Sequence, residues 1–162
     1  MMKLFYLILV LFLFSCNVQP NNKLYLLLYI NSYNNRGLYS YKHYNSLNGE
    51  LKIFEKTSTT DVNKIVNIKV SDKEILNFYK NYKNLKLRKE KLCFNEYEGK
   101  YDSEIILSIS KEPKNEINFK NFNCTQDENK KNKILMISLE FLKFIKTTEE
   151  YKIAFPEEFE KM

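Results

Sequence analysis

Apolar positions in this 162-residue chain fall into blocks whose spacing changes along its length. The first is an unbroken run from Leu4 to Phe14. The next, Leu24 to Ile30 (LYLLLYI), is rich in leucine and tyrosine and reads as a central strand. Asn31 to Gly37 (NSYNNRG) carries turn chemistry throughout. Leu38 to Asn45 and Glu50 to Thr57 then flank Asn48-Gly49, a pair that tolerates the positive φ of a hairpin turn. Leu51 and Ile53 alternate with Lys52, which gives the second arm one buried face. Ile65 to Val70 reads as a fourth strand, with Val66, Ile68 and Val70 on one side.

The period then lengthens. Ser71-Asp72-Lys73-Glu74 matches a capping box, in which the Ser71 hydroxyl and the Glu74 carboxylate satisfy each other's free backbone donors. It predicts a helix over Asp72 to Asn84, with Ile75, Phe78, Tyr79 and Tyr82 at helical spacing. Ser103 to Ser110 (SEIILSIS) returns to strict alternation. Glu112-Pro113-Lys114-Asn115 is a turn, and Glu116 to Phe122 reads as the hairpin partner of that strand. Asp127 to Lys133 is a polar loop or helix start. Ile134 to Lys146 is the second helix, with Leu135, Leu139 and Leu142 on one stripe and Ile134, Phe141 and Ile145 widening it, so sheet must cover much of it. Pro156 interrupts regular structure in an acidic tail. The order β-β-β-β-α-β-β-α, with short turns between strands, predicts an α+β fold over residues 23–162. Its form is a two-layer sandwich, a mostly antiparallel sheet with two helices packed on one face.

The opening run has a different reading. Lys3 precedes it, and its length is about half of the roughly 20 apolar residues that span a bilayer as a helix. Asn17, Gln19, Pro20, Asn21 and Asn22 follow at once, so residues 1–15 read as a cleaved export signal. Within it, Leu13-Phe14-Ser15-Cys16 resembles the lipobox of bacterial lipoproteins, although Phe14 is bulkier than the small residue usual at its position. The resemblance covers only these sixteen residues. It implies that Cys16 is diacylated and becomes the new N-terminus, that residues 16–22 form a tether, and that the membrane is a partner through the lipid. Asn17 rather than Asp after the cysteine, and the lack of carboxylates before Glu50, point to the periplasmic face of the outer membrane.

Lipid on Cys16 leaves Cys93 and Cys124 as an even pair in an oxidising compartment, where such pairs form disulfides. A strand at Lys91 to Tyr97, meandering through Ser103–Ser110 into Glu116–Phe122, would put the two cysteines at opposite ends of the sheet, beyond the roughly 7 Å that a bridge allows between Cα atoms. The disulfide therefore predicts a loop over Cys93 to Asp102.

Composition narrows the function more than it identifies it. Twelve Tyr, twelve Phe, no Trp, one alanine (Ala154) and two arginines (Arg36, Arg88) are the usage of an AT-rich genome. The net charge of +6 then reads as a solvated lysine surface, and export argues against a nucleic-acid partner. His43 has no local carboxylate and nucleophile to complete a triad. One histidine cannot assemble the usual zinc sets, and the glycines form no phosphate-binding loop. No catalytic residue, metal site or cofactor is expected. Two features suggest recognition instead. Tyr39, Tyr41 and His43 share one face of an extended strand, and Lys83, Lys86, Arg88, Lys89 and Lys91 form a basic cluster. The expectation is a lipid-anchored, non-catalytic envelope protein whose domain binds an envelope protein or polymer. A periplasmic immunity or inhibitor protein is the alternative within that class, and a hydrolase using scattered carboxylates the alternative outside it.

Overall fold

The computed structural model describes residues 23–34, 37–56, 61–87, 89–97 and 100–158. The leader, Cys16 and the tether lie outside the described residues, as do Arg36 and Arg88. The fold is α+β, a seven-stranded sheet with helices on one face. The strands are β1 (Tyr25–Asn34), β2 (Gly37–Asn45), β3 (Glu50–Lys56), β4 (Asp61–Asn67), β5 (Glu90–Tyr97), β6 (Lys100–Ser110) and β7 (Asn123–Cys124). Their spatial order is β4-β3-β2-β1-β6-β5-β7, and every pairing is antiparallel except β5 with β7. The helices are α1 (Asp72–Tyr82), α2 (Glu128–Thr147) and α3 (Glu149–Ala154). Among the described residues no helix is long and apolar enough to cross a membrane.

Local chemistry accounts for the joints. Gly49, at φ +72, closes the β2–β3 hairpin, and its carbonyl accepts Ile68 N–H at 2.7 Å. A Cβ there would sit 3.2 Å from the Ile68 carbonyl oxygen, so both the φ and the close approach ask for glycine. The Ser71–Glu74 capping box forms as its sequence predicts. Asp127 starts α2 by accepting Asn129 N–H and Lys130 N–H at 2.9 and 3.2 Å.

The helix face holds most of the core. Leu26, Leu28, Tyr44, Leu51, Ile53, Val66, Leu92, Ile105, Leu107 and Ile109 from the strands meet Ile75 of α1 and Ile134, Ile137, Phe141 and Ile145 of α2. The apolar stripe of α2 therefore differs from the one its leucines suggested. Ile134, Ile137, Phe141 and Ile145 point inward, while Leu139 is 48% exposed.

Three expectations are corrected here. Asn31–Asn34 is strand, not turn, because its backbone pairs with β2 on one side and, at Asn31 and Ser32, with β6 on the other. Cys93 lies in strand β5, not in a loop, and the disulfide forms nonetheless, with Cα atoms 5.6 Å apart. The geometric objection assumed that Glu116–Phe122 would pair beside β6. That segment is not a strand, because β1 and β5 already occupy both edges of β6. Residues 111–122 cross the other face of the sheet as an irregular strap with one 3-10 turn (Phe119–Asn121), which the Asn118 side chain caps. The chain then descends alongside β5 as β7, parallel to it, and so delivers Cys124 next to Lys91 and within reach of Cys93.

Candidate functional site

The second face of the sheet, under and beside the strap, gathers the polar and aromatic groups. Strand alternation puts Leu27, Tyr29, Asn31 and Tyr33 of β1 on this face, opposite the core residues Leu26 and Leu28. Register aligns Tyr29 with His43 and Lys52, and Asn31 with Tyr41 and Phe54. The strap covers only part of this surface. Ile117, Phe119 and Phe122 pack against Leu27, Tyr29 and Ile106, which are buried. Tyr41 and Phe54 lie farther toward β4 and remain half-exposed.

His43 is stacked between two tyrosines, with ring centroids 4.4 Å from Tyr29 and 4.5 Å from Tyr41, and Phe54 continues the row 5.4 Å beyond Tyr41. Neighbouring rings are tilted by 23–33°, close to face-to-face. They occupy one another's faces, which makes the row a set of cross-strand pairs that stiffens the sheet.

A hydrogen-bonded chain crosses four strands, β2, β1, β6 and β5, beside that row. Asn31 Nδ2 donates to the Tyr33 hydroxyl at 3.0 Å, and that hydroxyl donates to Glu104 Oε2 at 3.0 Å. Asn31 Oδ1 is thus left as an acceptor, so His43 carries its proton on Nε2 and donates it at 2.7 Å. Lys91 Nζ closes the chain on Glu104 Oε1 at 2.5 Å and approaches the Phe119 carbonyl of the strap at 3.5 Å. Asn31 and Glu104 are buried, and each has the partners that burial demands.

Between the strap and the β2–β3 hairpin lies a cleft of about 200 Å³, lined by Tyr29, His43, Asn45, Glu50, Lys52, Asn115, Glu116 and Ile117 among others. Asn45 fixes its roof: Nδ2 donates to the carbonyls of Lys114 and Asn115 at 3.2 and 3.1 Å, and Oδ1 accepts Leu47 N–H at 2.9 Å. Burial, with a smaller contribution from the Lys52 charge, pushes His43 down to about 4. Burial, and then the Glu116 carboxylate, raises the Tyr29 hydroxyl above its ordinary value. At neutral pH both groups are uncharged. A base so weak abstracts protons poorly at that pH, whereas neutral donors and acceptors in a cleft suit recognition. Among the described residues no group of three or more His, Cys, Asp or Glu side chains is placed to hold a metal ion.

The structure unites Tyr41 and His43 but separates Tyr39. The register slips between Ser32 and Tyr33, leaving Tyr39 as the extra residue of a bulge. The basic cluster disperses: Lys91 enters the buried pair with Glu104, while Lys83, Lys86 and Lys89 are exposed on the connector after α1. Sequence reasoning missed Tyr29, Asn31 and Glu104. A signal was present, because Tyr29, Asn31 and Tyr33 alternate with period two beyond the apolar block and could have extended the first strand. No family model, curated protein or solved structure matches the chain.

Proposed function

We propose that the chain is a lipid-anchored protein of the bacterial cell envelope, held through Cys16 on the periplasmic face of the outer membrane. In this reading its domain binds an envelope protein or polymer through the second face of the sheet. The anchor rests on the lipobox-like Leu13-Phe14-Ser15-Cys16, and the Cys93–Cys124 bond fits an oxidising compartment. The observation that carries the binding part is the uneven cover of the second face. The strap closes over Leu27, Tyr29 and Ile106, yet it leaves Tyr41, Phe54 and the mouth of the cleft accessible.

Two measurements test the two parts separately. Metabolic labelling with a fatty-acid probe is expected to mark the wild type and not Cys16→Ala, and equal labelling refutes the anchor. For the face, a photoreactive phenylalanine analogue at Phe54 is expected to give envelope adducts other than to the chain itself. The same analogue at the exposed Lys73 of α1 is expected to give none, and equal adduct patterns refute the face.

A further inference from the structure

We infer that the outer edge of β4 pairs antiparallel with the same edge of a second copy of this chain, joining two sheets into one about a two-fold axis at Ile65. This inference is independent of the anchor and of the partner of the second face.

The two edges of the sheet differ. At one, β7 and the Cys93–Cys124 bond cover the start of β5. At the other, among the described residues, no strand pairs with the outside of β4, a seven-residue strand without proline or glycine. Such an edge is a template for another chain. The hydrogen bond from Ile68 N–H to the Gly49 carbonyl sets the phase. Even-numbered residues of β4 turn their backbone groups toward β3, and Asp61, Asn63, Ile65 and Asn67 turn theirs outward.

Those outward groups are self-complementary. Centred on Ile65, an antiparallel pairing opposes Ile65 to its own copy and Asn63 to Asn67, so every opposed outward pair exchanges backbone hydrogen bonds. It also joins side chains that suit each other, isoleucine on isoleucine and amide on amide. The neighbouring register, centred on Lys64, opposes two lysines. Exposure points to the same place. Ile153 and Ile65, at 79% and 62%, are the two most exposed large apolar side chains described. Both flank this edge. Ile65 lies on the second face, and Ile153 precedes Ala154, whose carbonyl accepts Lys64 Nζ at 2.8 Å on the helix face. An isologous contact would cover both together.

The test uses the full chain in mild detergent. With Cys16→Ser in place, Ile65→Cys is expected to yield a covalent dimer under gentle oxidation, because residues opposed in a hydrogen-bonded pair have Cα atoms about 5.5 Å apart, within disulfide reach. Lys64→Cys, opposed to Val66 of the copy, is expected to stay monomeric on the same gel. Without introduced thiols, light scattering is expected to report a dimer that Ile65→Pro weakens about tenfold or more, since two reciprocal backbone hydrogen bonds are lost. That proline removes an N–H facing away from β3, so circular dichroism stays unchanged. Should Ile65→Pro fail to fold, the contrast between the two cysteine variants decides alone. A monomer at every concentration, a dimer that survives Ile65→Pro, equal cross-linking of both cysteine variants, or a monomer that takes up an extended peptide along β4 each overturns the inference.

Discussion

On one face of the sheet, α1 and α2 lay Ile75, Ile134, Ile137, Phe141 and Ile145 over ten buried strand side chains. On the other, a single irregular strap lays Ile117, Phe119 and Phe122 over Leu27, Tyr29 and Ile106, and the rest is polar chain, ring row and cleft. The strands alternate in the same way on both sides, so the difference comes from what lies on top. Helices bring a wide apolar stripe and satisfy their own backbone. An irregular strap cannot do the second, and it needs polar partners such as Asn45 and Lys91 beneath it. Stability therefore concentrates on the helix face. The strap face is where groups that cost stability, such as a buried Glu104, can be accommodated for other ends.

The sharpest way to break this comparison is to damage the helix face at its centre. Phe141 is fully buried, with its ring centroid 5.1 Å from Tyr44 and 5.2 Å from Phe78. Phe141→Ala is expected to cost about 3–5 kcal/mol through lost burial and a residual cavity. The urea midpoint measures it, and a loss no larger than that of a strap substitution would put the stability elsewhere.

Next in size is the disulfide, which ties the end of the strap to β5 across 31 residues. Cys93→Ser with Cys124→Ser is expected to destabilise by about 3–4 kcal/mol in the chain-entropy account. Hydrogen exchange sharpens the result, because protection should fall first at Asn123 and Thr125, whose N–H groups donate to the Lys89 and Lys91 carbonyls. Exchange rising equally in α2 would mean that the two faces open as one unit.

The sequence made these two faces legible to very different degrees. The helix face could be read because its signals are local: the Ser71–Glu74 capping box, the 3.6-residue spacing of α1, the alternation in Leu51–Ile53 and Ile105–Ile109. The α+β class follows from them. The strap face depends on which strands are neighbours, and no local pattern carries that. Glu116–Phe122 alternates well enough to pass for a strand, but its would-be partner β6 is already paired on both edges. From that one error came the loop expected at Cys93. The cysteine pairing itself survived, because it rested on parity and compartment and not on the sheet. Of the candidate surface, Tyr41 and His43 were legible from period two, while the bulge that removes Tyr39 was not.

A third prediction uses the lone histidine, whose imidazole is a single clean reporter. Its folded pKa of about 4 lies below the ordinary 6.5. Above pH 6.5 the ring is neutral in folded and unfolded chains alike, and its contribution to stability is fully present. As pH falls from 6.5 to 4 the unfolded chain takes up the proton first, and stability drops by about 3 kcal/mol at most. His43→Gln is expected to remove that part of the acid sensitivity while leaving stability near pH 7 within about 1 kcal/mol, because Gln can still donate to Asn31 Oδ1. Parallel pH profiles for the two proteins would show that burial does not hold the ring neutral.

The smallest expected effect separates cover from core most finely. Phe119 is half-buried, its ring centroid 6.0 Å from Tyr29 and 6.1 Å from His43, at the point where the strap lies over the ring row. Phe119→Ala removes little area from water-excluded contact, so the loss in stability is expected to be about 1 kcal/mol. The same substitution lets water reach the imidazole, and desolvation is the larger cause of its lowered pKa. The His43 titration, followed by proton chemical shift, is expected to move upward from about 4 toward 6.5 while the urea midpoint barely changes. A large midpoint shift with an unmoved titration would give the strap the role here assigned to the helices. It would also mean that the low pKa comes from Lys52 and the sheet beneath the ring, not from the strap above it.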